Sequence, residues 1–407
     1  MTRPLSHIRV LDLTRVLAGP WAAQTLADLG AEVIKIERPG TGDDTRAWGP
    51  PWWHDREGRE TRESAYFLSV NRGKKSVTLD LSQPEGQRIA RELAAKSDVL
   101  IENYKAGTLE RYGLGYEDIR AIHPGLIYCS VTGYGQDGPL ASRPGYDFIF
   151  QGMGGLMSIT GERDGQPGGG PQKTGIAVTD VLTGLYATIA ITAAIAAREK
   201  SGAGQHIDTA LLDTIVAFGA NQILSYWCSG NVPQRFGNSH PNIVPYEAFA
   251  TSDGHIILAV GNDSQYAAFC QACGRPELAD DPRFRTNPDR VKNREVLVPI
   301  VREIMRARTK RAWIDALEAA GVPCGPINNY AEVFDNEQVR HRGLRVDIPH
   351  PLLGSVPTVA SPMRFSATPV DYDVPPPLLG EHTREVLSGI LGMGDAEIDA
   401  LGGRGVV

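Results

Sequence analysis

Five cysteines in 407 residues, Cys129, Cys228, Cys270, Cys273 and Cys324, are too few and too scattered for a disulfide framework. Their odd number fits a reducing compartment. Cys270-x-x-Cys273 lies in the helical run AAFCQACG with no second pair and no histidine pair beside it. It reads as core packing, and no metal site is expected. Surplus positive charge is also missing: 41 Lys and Arg stand against 48 Asp and Glu, a net charge of −7. That argues against nucleic acid and anionic membranes as partners, while leaving room for a local basic pocket. No apolar run is both long and uninterrupted. The best, Val181 to Ala197, contains Thr183, Gly184, Thr188 and Thr192, and is expected to be a buried core helix. The opening MTRPLSHIRVLDLT has no apolar signal-peptide core, so the expected address is cytoplasmic. Glycine never recurs with period three, which excludes collagen. Glycine (45) and proline (28) are nonetheless plentiful, as in enzymes whose sites are built from loops.

What is present alternates between strand and helix. Ile8–Leu13, Glu32–Glu37 (EVIKIE), Ser76–Leu81, Asp98–Glu102, Leu126–Val131 and His206–Ala210 read as strands. Helices are expected at Pro20–Leu29, Pro84–Ser97, Tyr116–His123, Asp180–Arg198 and Leu211–Trp227. Strands spaced by such helices imply a parallel sheet with right-handed crossovers. The pattern changes near 228–245. Two short strands then turn at Ser252-Asp253-Gly254, and helical stretches follow at 263–273, 288–306 and 309–320. Beyond Pro323 the chain reads as irregular as far as Pro375–Pro377, and a helix at His382–Leu391 closes it.

The first strand, helix and second strand ending in Glu37 imitate a dinucleotide fold, with an acidic residue for a ribose. The loop Thr14-Arg-Val-Leu-Ala-Gly-Pro20 has one glycine, however, and Pro20 removes an N–H that a pyrophosphate would use. Nicotinamide binding is set aside. Asp180 stands out because it opens a long apolar helix, whose positive end favours an ionised carboxylate. Its plainer role is a helix cap.

Several segments together resemble the class III CoA-transferases, the formyl-CoA transferase group. They include LDLTRVLAGPWAAQTLADLGAEVIKIERPGTGDDTR (11–46), NRGKKSVTLDL (71–81), DVLIENYKAGTLERYGLGYEDI (98–119), YCSVTGYGQDGPLASRPGYD (128–147), GIAVTDVLTGLYATIAITAAI (175–195) and GAGQHIDTALLD (202–213). VPYEAF (244–249), GVPCGPINN (321–329) and PPPLLGEHT (375–383) extend the resemblance over nearly the whole chain. It implies that Asp180 is a nucleophile, forming an acyl-aspartyl anhydride and then an aspartyl-CoA thioester. It implies Arg38, Lys74 and Arg111 as CoA contacts, Val16 and Ala18 as backbone contacts, Asn103 and Tyr104 as a further pair, and Val70 beside the adenine. Tyr146 would hydrogen-bond the acyl oxygen. Arg15, Arg46 and His240 are candidates for the carboxylates of the acid substrates, arginine's fork suiting that task. CoA and acyl-CoA enter as substrates, with no tightly bound cofactor. The reaction implied is CoA transfer from an acyl-CoA such as succinyl-CoA to a short dicarboxylate such as glutarate. Formyl-CoA:oxalate and carnitine-type transfer are the alternatives inside the group.

A 2-methylacyl-CoA racemase of the same group needs a histidine where this chain has Tyr146, and a phenol is a poor base at neutral pH. The implied fold is α/β: a Rossmann-like large domain with a parallel sheet and a smaller α+β domain, in an interlocked ring-like homodimer. The expected boundaries are 1–205 for the large domain, 206–240 for a linker helix region and 241–325 for the small domain. A returning linker follows at 326–375, and 376–407 packs back on the large domain.

Overall fold

The protein is described from a computed structural model covering residues 3–407. Two compact units divide the chain. One reaches to Leu156 and takes up Thr174–Ile223 and Arg340–Val407, and the other comprises Met157–Lys173 and Leu224–Val339.

Six parallel strands form the sheet of the first unit. They are β1 (Arg9–Asp12), β2 (Glu32–Glu37), β3 (Lys74–Thr78), β4 (Val99–Glu102), β5 (Ile127–Thr132) and β6 (His206–Ala210), in the order β3-β2-β1-β4-β5-β6. The order reverses between β1 and β4, which opens a crevice at the carboxyl ends of these two strands. Side chains alternate between two apolar layers, as the period-two pleat requires. Val10, Val33, Ile101 and Cys129 face one layer, which holds Leu26 of helix α1 (Ala18–Asp28) and Ile191 of a long helix described below. Leu11, Ile34, Leu100 and Tyr128 face the other, with Ile89, Leu93, Leu387 and Leu401. Each such fully buried leucine or isoleucine contributes about 1.5–3 kcal/mol. Several charged residues within the strands, Asp12, Lys35, Glu37, Lys74 and Glu102, are buried as well.

Four further helices matter below: α2 (Asp147–Met153), α3 (Val178–Ser201), α4 (Leu211–Phe218) and, in the second unit, α5 (Arg294–Arg306). Helix α3 differs from the buried core helix read from the sequence. One face, with Thr183, Ala187, Ile191 and Ile195, is enclosed, while Leu185, Tyr186 and Ile189 of the other face are exposed. Its close approach to α1 depends on Gly184, because a Cβ there would lie 2.6 Å from the carbonyl oxygen of Ala18. The helix expected over 211–227 breaks at Gly219, and Ala220 takes φ +40° before a second helix, Ala220–Ser229.

The second unit has an antiparallel sheet of β7 (Tyr246–Thr251), β8 (Gly254–Ala259) and β9 (Cys324–Pro326) in the order β9-β8-β7. Phe249, Ile256, Phe269, Cys270, Leu297 and Trp313 form its core, so Cys270 packs among apolar neighbours. The stretch after Pro323 holds more structure than its composition announced. Tyr330–Asp335 and Glu337–His341 are short helices, and Arg345–His350 pairs with Gly354–Val359 as a hairpin. Pro349 and Pro357 lie within that hairpin, which a two-stranded sheet tolerates because both strands are edges.

Candidate active site

Two adjoining hollows occupy the crevice at the reversal of strand order. The smaller, about 260 Å³, is walled by the loop after β1 (Arg15 to Ala18), the segment after β4 (Asn103 to Ala106), Gly133 after β5, Tyr146 and Asp180. The larger, about 430 Å³, is walled by Arg38, Thr41 to Asp44, Leu79 to Ser82 and Tyr112. Arg15, Asp44 and Tyr104 border both.

Asp180 lies in the first turn of α3 and is not its cap. Ala177 is the N-cap residue and supplies no side-chain bond. The cap comes from elsewhere: Asp147, at the start of α2, accepts from the backbone N–H of Thr179 (2.7 Å) and of Asp180 (3.3 Å) through Oδ1. Its Oδ2 accepts from Gln151 Nε2 at 2.6 Å. The Asp180 carboxylate itself forms no hydrogen bond or ion pair with any described residue. Burial, and secondarily the negative charge of Asp147, push its pKa up to about 7. A carboxylate that faces a cavity without a partner is free to bond to a substrate.

The β1 loop is held from three sides. The N–H of Arg15 donates to Asn103 Oδ1 (2.9 Å), and Asn103 Nδ2 donates back to the Arg15 carbonyl (2.7 Å). The N–H of Val16 donates to Asp43 Oδ1 at 3.2 Å. Val16 has φ +71°, a conformation that costs a β-branched residue energy and persists only where neighbours enforce it. The Arg15 guanidinium lies 5.3 Å from the centre of the Tyr104 ring and 3.3 Å from Asp44.

Beneath the larger hollow is a buried ionic lattice. Lys35 Nζ donates to the Thr14 carbonyl and to Asp43 Oδ2, both at 2.8 Å. Burial alone would raise the Asp43 carboxyl, but Lys35 and the Thr45 donors bring it down to about 2. Lys74 Nζ donates to Asp12 Oδ2 (3.0 Å), the Pro20 carbonyl (3.0 Å) and Asn71 Oδ1 (2.9 Å). Burial, reinforced by Lys35, brings the Lys74 ammonium down to about 8. Glu37, the residue that imitates a ribose ligand, is saturated by the Arg46 fork (2.8 Å twice), Ser76 Oγ (2.6 Å) and the N–H of Asp43 (3.0 Å).

The sequence-derived candidates therefore separate. Asp180, Tyr146, Arg15, Val16, Ala18, Asn103 and Tyr104 line the smaller hollow, and Arg38 lines the larger. Tyr146 is 64% exposed. Two candidates are corrected. Lys74 is enclosed with all three donors committed, so its ammonium meets Asp12 and not a phosphate. Arg46 is spent on Glu37, the Pro377 carbonyl and the Phe67 ring, leaving no fork for a substrate carboxylate. Val70 is buried and lines neither hollow, and Arg111 is exposed outside both. His240 belongs to the second unit, in a separate cavity. Sequence reasoning missed Asp147, Lys35 and Asp43. A lysine inside the apolar run EVIKIE was the visible signal for Lys35.

The chain is similar to known proteins over nearly its whole length. The model of CoA-transferase family III matches residues 5–383. The succinate–glutarate CoA-transferase of Agrobacterium fabrum is 50% identical over 385 residues, 95% of this chain and 95% of that protein. The succinyl-CoA:glutarate CoA-transferase of Homo sapiens is 45% identical over 405 residues, 100% of this chain and 90% of that protein. Among solved structures, a CAIB/BAIF family protein from Brucella suis superposes with a TM-score of 0.85 at 46% identity, covering 96% of this chain and 100% of that one.

Proposed function

This chain belongs to CoA-transferase family III, and we propose that it moves CoA from succinyl-CoA to glutarate or a similar short dicarboxylate through covalent bonds to Asp180. The observation that carries this reading is the free Asp180 carboxylate, facing a hollow that adjoins a larger one with Arg38 on its wall. The nucleotide end of CoA would lie in the larger hollow, its phosphates near Arg38. The pantetheine arm would pass Arg15 and Tyr104, with the thioester beside Asp180.

The chemistry follows from a carboxylate nucleophile. An Asp180 oxygen attacks the thioester carbonyl, the C–S bond breaks, and CoA leaves as thiolate. The thiolate attacks the aspartyl carbonyl of the anhydride, and succinate departs with its carboxylate restored. An oxygen of the acceptor acid then attacks the aspartyl-CoA thioester, again releasing thiolate. Thiolate attacks the acceptor's acyl carbon, which yields glutaryl-CoA and regenerates Asp180. Each difficult exchange becomes two easier ones. The Tyr146 hydroxyl is assigned to the oxyanion that develops in these steps. Arg15 is assigned to a substrate carboxylate, and Val16, Ala18, Asn103 and Tyr104 to CoA. Lys74 acts from beneath, holding Asp12 and the turn that presents the loop.

The enzyme is read as an interlocked homodimer. In the first unit Ile189 of α3 is 61% exposed with Leu185 and Tyr186 beside it, apolar surface that a second chain would cover. Its five cysteines are free, which supports a cytoplasmic address. The decisive test is Asp180→Ala assayed with succinyl-CoA and glutarate, together with hydroxylamine trapping during turnover. Loss of transfer and a hydroxamate at residue 180 in the parent support the reading. Undiminished transfer in the variant defeats it.

A further inference from the structure

The second unit has a cavity of its own, about 60 Å³, bordered by Arg163, Ser239, His240, Glu247, Arg294 and Arg302. The charges around it do not balance. Arg302 lies 3.5 Å from the buried carboxylate of Glu247, whose other oxygen takes the Ser239 hydroxyl. Arg163 lies 3.3 Å from Glu295, a carboxylate 79% exposed. Arg294, at the start of α5, forms no ion pair with any described residue. Three guanidinium groups thus face two carboxylates, leaving one positive charge.

That surplus charge is placed for use. Arg294 donates only through Nη2, to the carbonyls of His240 (3.2 Å) and Pro241 (2.6 Å). Its Nε and Nη1 make no hydrogen bond to any described residue. Arg163 and Arg294 both lie against the ring of Phe236, 5.3 and 5.2 Å from its centre. Two like charges sharing one aromatic ring repel, and an anion between them relieves the repulsion. Burial and the neighbouring Arg163 lower the Arg294 pKa, and the carboxylates of Glu295 and Glu247 offset this only in part. His240 supplies a further donor. Its Nδ1 accepts from the N–H of Asn242 at 3.1 Å, which puts the ring proton of the neutral imidazole on Nε2.

We propose that this cavity binds a carboxylate, with Arg294 gripping one end of a short dicarboxylate and His240 and Arg163 beside it. The assignment of a dicarboxylate rests on the proposed function. The volume suits one carboxyl group with a carbon or two, and a single surplus charge matches a monoanionic group better than a phosphate. The Nε–H and Nη1–H donors of Arg294 remain open, on separate edges of the guanidinium, so each can meet a carboxylate oxygen by a single charge-assisted hydrogen bond.

The test is calorimetric titration of the full-length protein, with no CoA thioester present, with glutarate, pentanoate and inorganic phosphate. Glutarate binding should weaken about 10- to 100-fold on adding Arg294→Gln, and less on adding Arg294→Lys, which keeps the charge. Arg163→Gln, whose side chain does not hold the 240–241 carbonyls, is the second variant and should weaken binding about 3- to 10-fold by the same principle. Thermal unfolding checks that each variant is folded. Glutarate binding that is absent, indifferent to both arginines, or matched by phosphate would overturn the pocket. The two proposals fail separately. Transfer by the parent together with glutarate binding that ignores Arg294 leaves the enzyme and removes the pocket, whereas arginine-dependent glutarate binding without any transfer by the parent does the reverse.

Discussion

Asp147 accepts a hydrogen bond from the backbone N–H of Asp180 at 3.3 Å, so one carboxylate caps the helix turn that presents another. The arrangement serves two ends. It satisfies N–H groups that α3 cannot satisfy internally, and it sets a negative charge beside the Asp180 carboxyl.

The first consequence is a pH dependence. The attack proposed for Asp180 requires its ionised form, and burial with Asp147 holds its pKa at about 7. kcat/KM for succinyl-CoA should therefore rise with pH up to about 7 and level off above. Asp147→Asn keeps an acceptor for the N–H groups but removes the charge. The acidic limb should move down by up to about one unit, since burial is the larger cause. A limb that stays in place in this variant would show that Asp147 does not tune Asp180.

Stability should follow the same group with the opposite sign. The folded chain holds the Asp180 proton up to about pH 7, whereas the unfolded chain loses it near 3.8. The native state thus binds more protons across that window, and stability falls as pH rises through it. Asp180→Asn removes the cost. Its thermal midpoint should exceed that of the parent at pH 8, and the gap should shrink at pH 4.5.

Much of this architecture was legible in the residues. EVIKIE and HIDTA coincide with β2 and β6, because alternation and β-branching leave little freedom there. The Asp180 neighbourhood could be read from an acidic residue ahead of an apolar helix. The ionic lattice could not. Lys74 and Lys75 are adjacent and chemically equal, yet the pleat buries one and leaves the other half-exposed against Glu32 and Glu385. Which side of the sheet each occupies depends on register with β2, a long-range fact. Arg46 is similar: its partner Glu37 is nine residues away, but the pair forms only once Asp43 folds back. The positive φ of Val16 has no signature in composition at all.

Lys74→Met should act on folding. It strips a buried partner from Asp12, a loss of about 3–5 kcal/mol for a pair of this kind. Urea denaturation should show the drop, and Asp12→Asn on the same background should recover part of it. A variant that folds as well as the parent but loses CoA affinity would instead make Lys74 a direct ligand.

Arg46→Ala should likewise destabilise the chain, since it abandons Glu37 inside the protein. The ratio of turnover with glutarate to turnover with other acids should stay unchanged. A switch in acid preference would return Arg46 to the substrate.

Arg38→Ala, at an exposed position on the larger hollow, should raise KM for succinyl-CoA while leaving kcat nearly intact. The salt sensitivity of KM should also diminish, because one long-range attraction to the phosphates is gone. Steady-state kinetics at two ionic strengths would register both effects.

The fastening of residues 15 and 16 has an implication for altering the enzyme. Because Asn103 and Asp43 clamp that stretch from different parts of the sheet, a change there propagates into several strands at once. The opposite wall, from Ala141 to Pro144, is tied mainly by short-range turns and stands largely in solvent. Libraries meant to accept new acids belong on that looser wall, where diversity can be explored without dismantling the scaffold around Asp180.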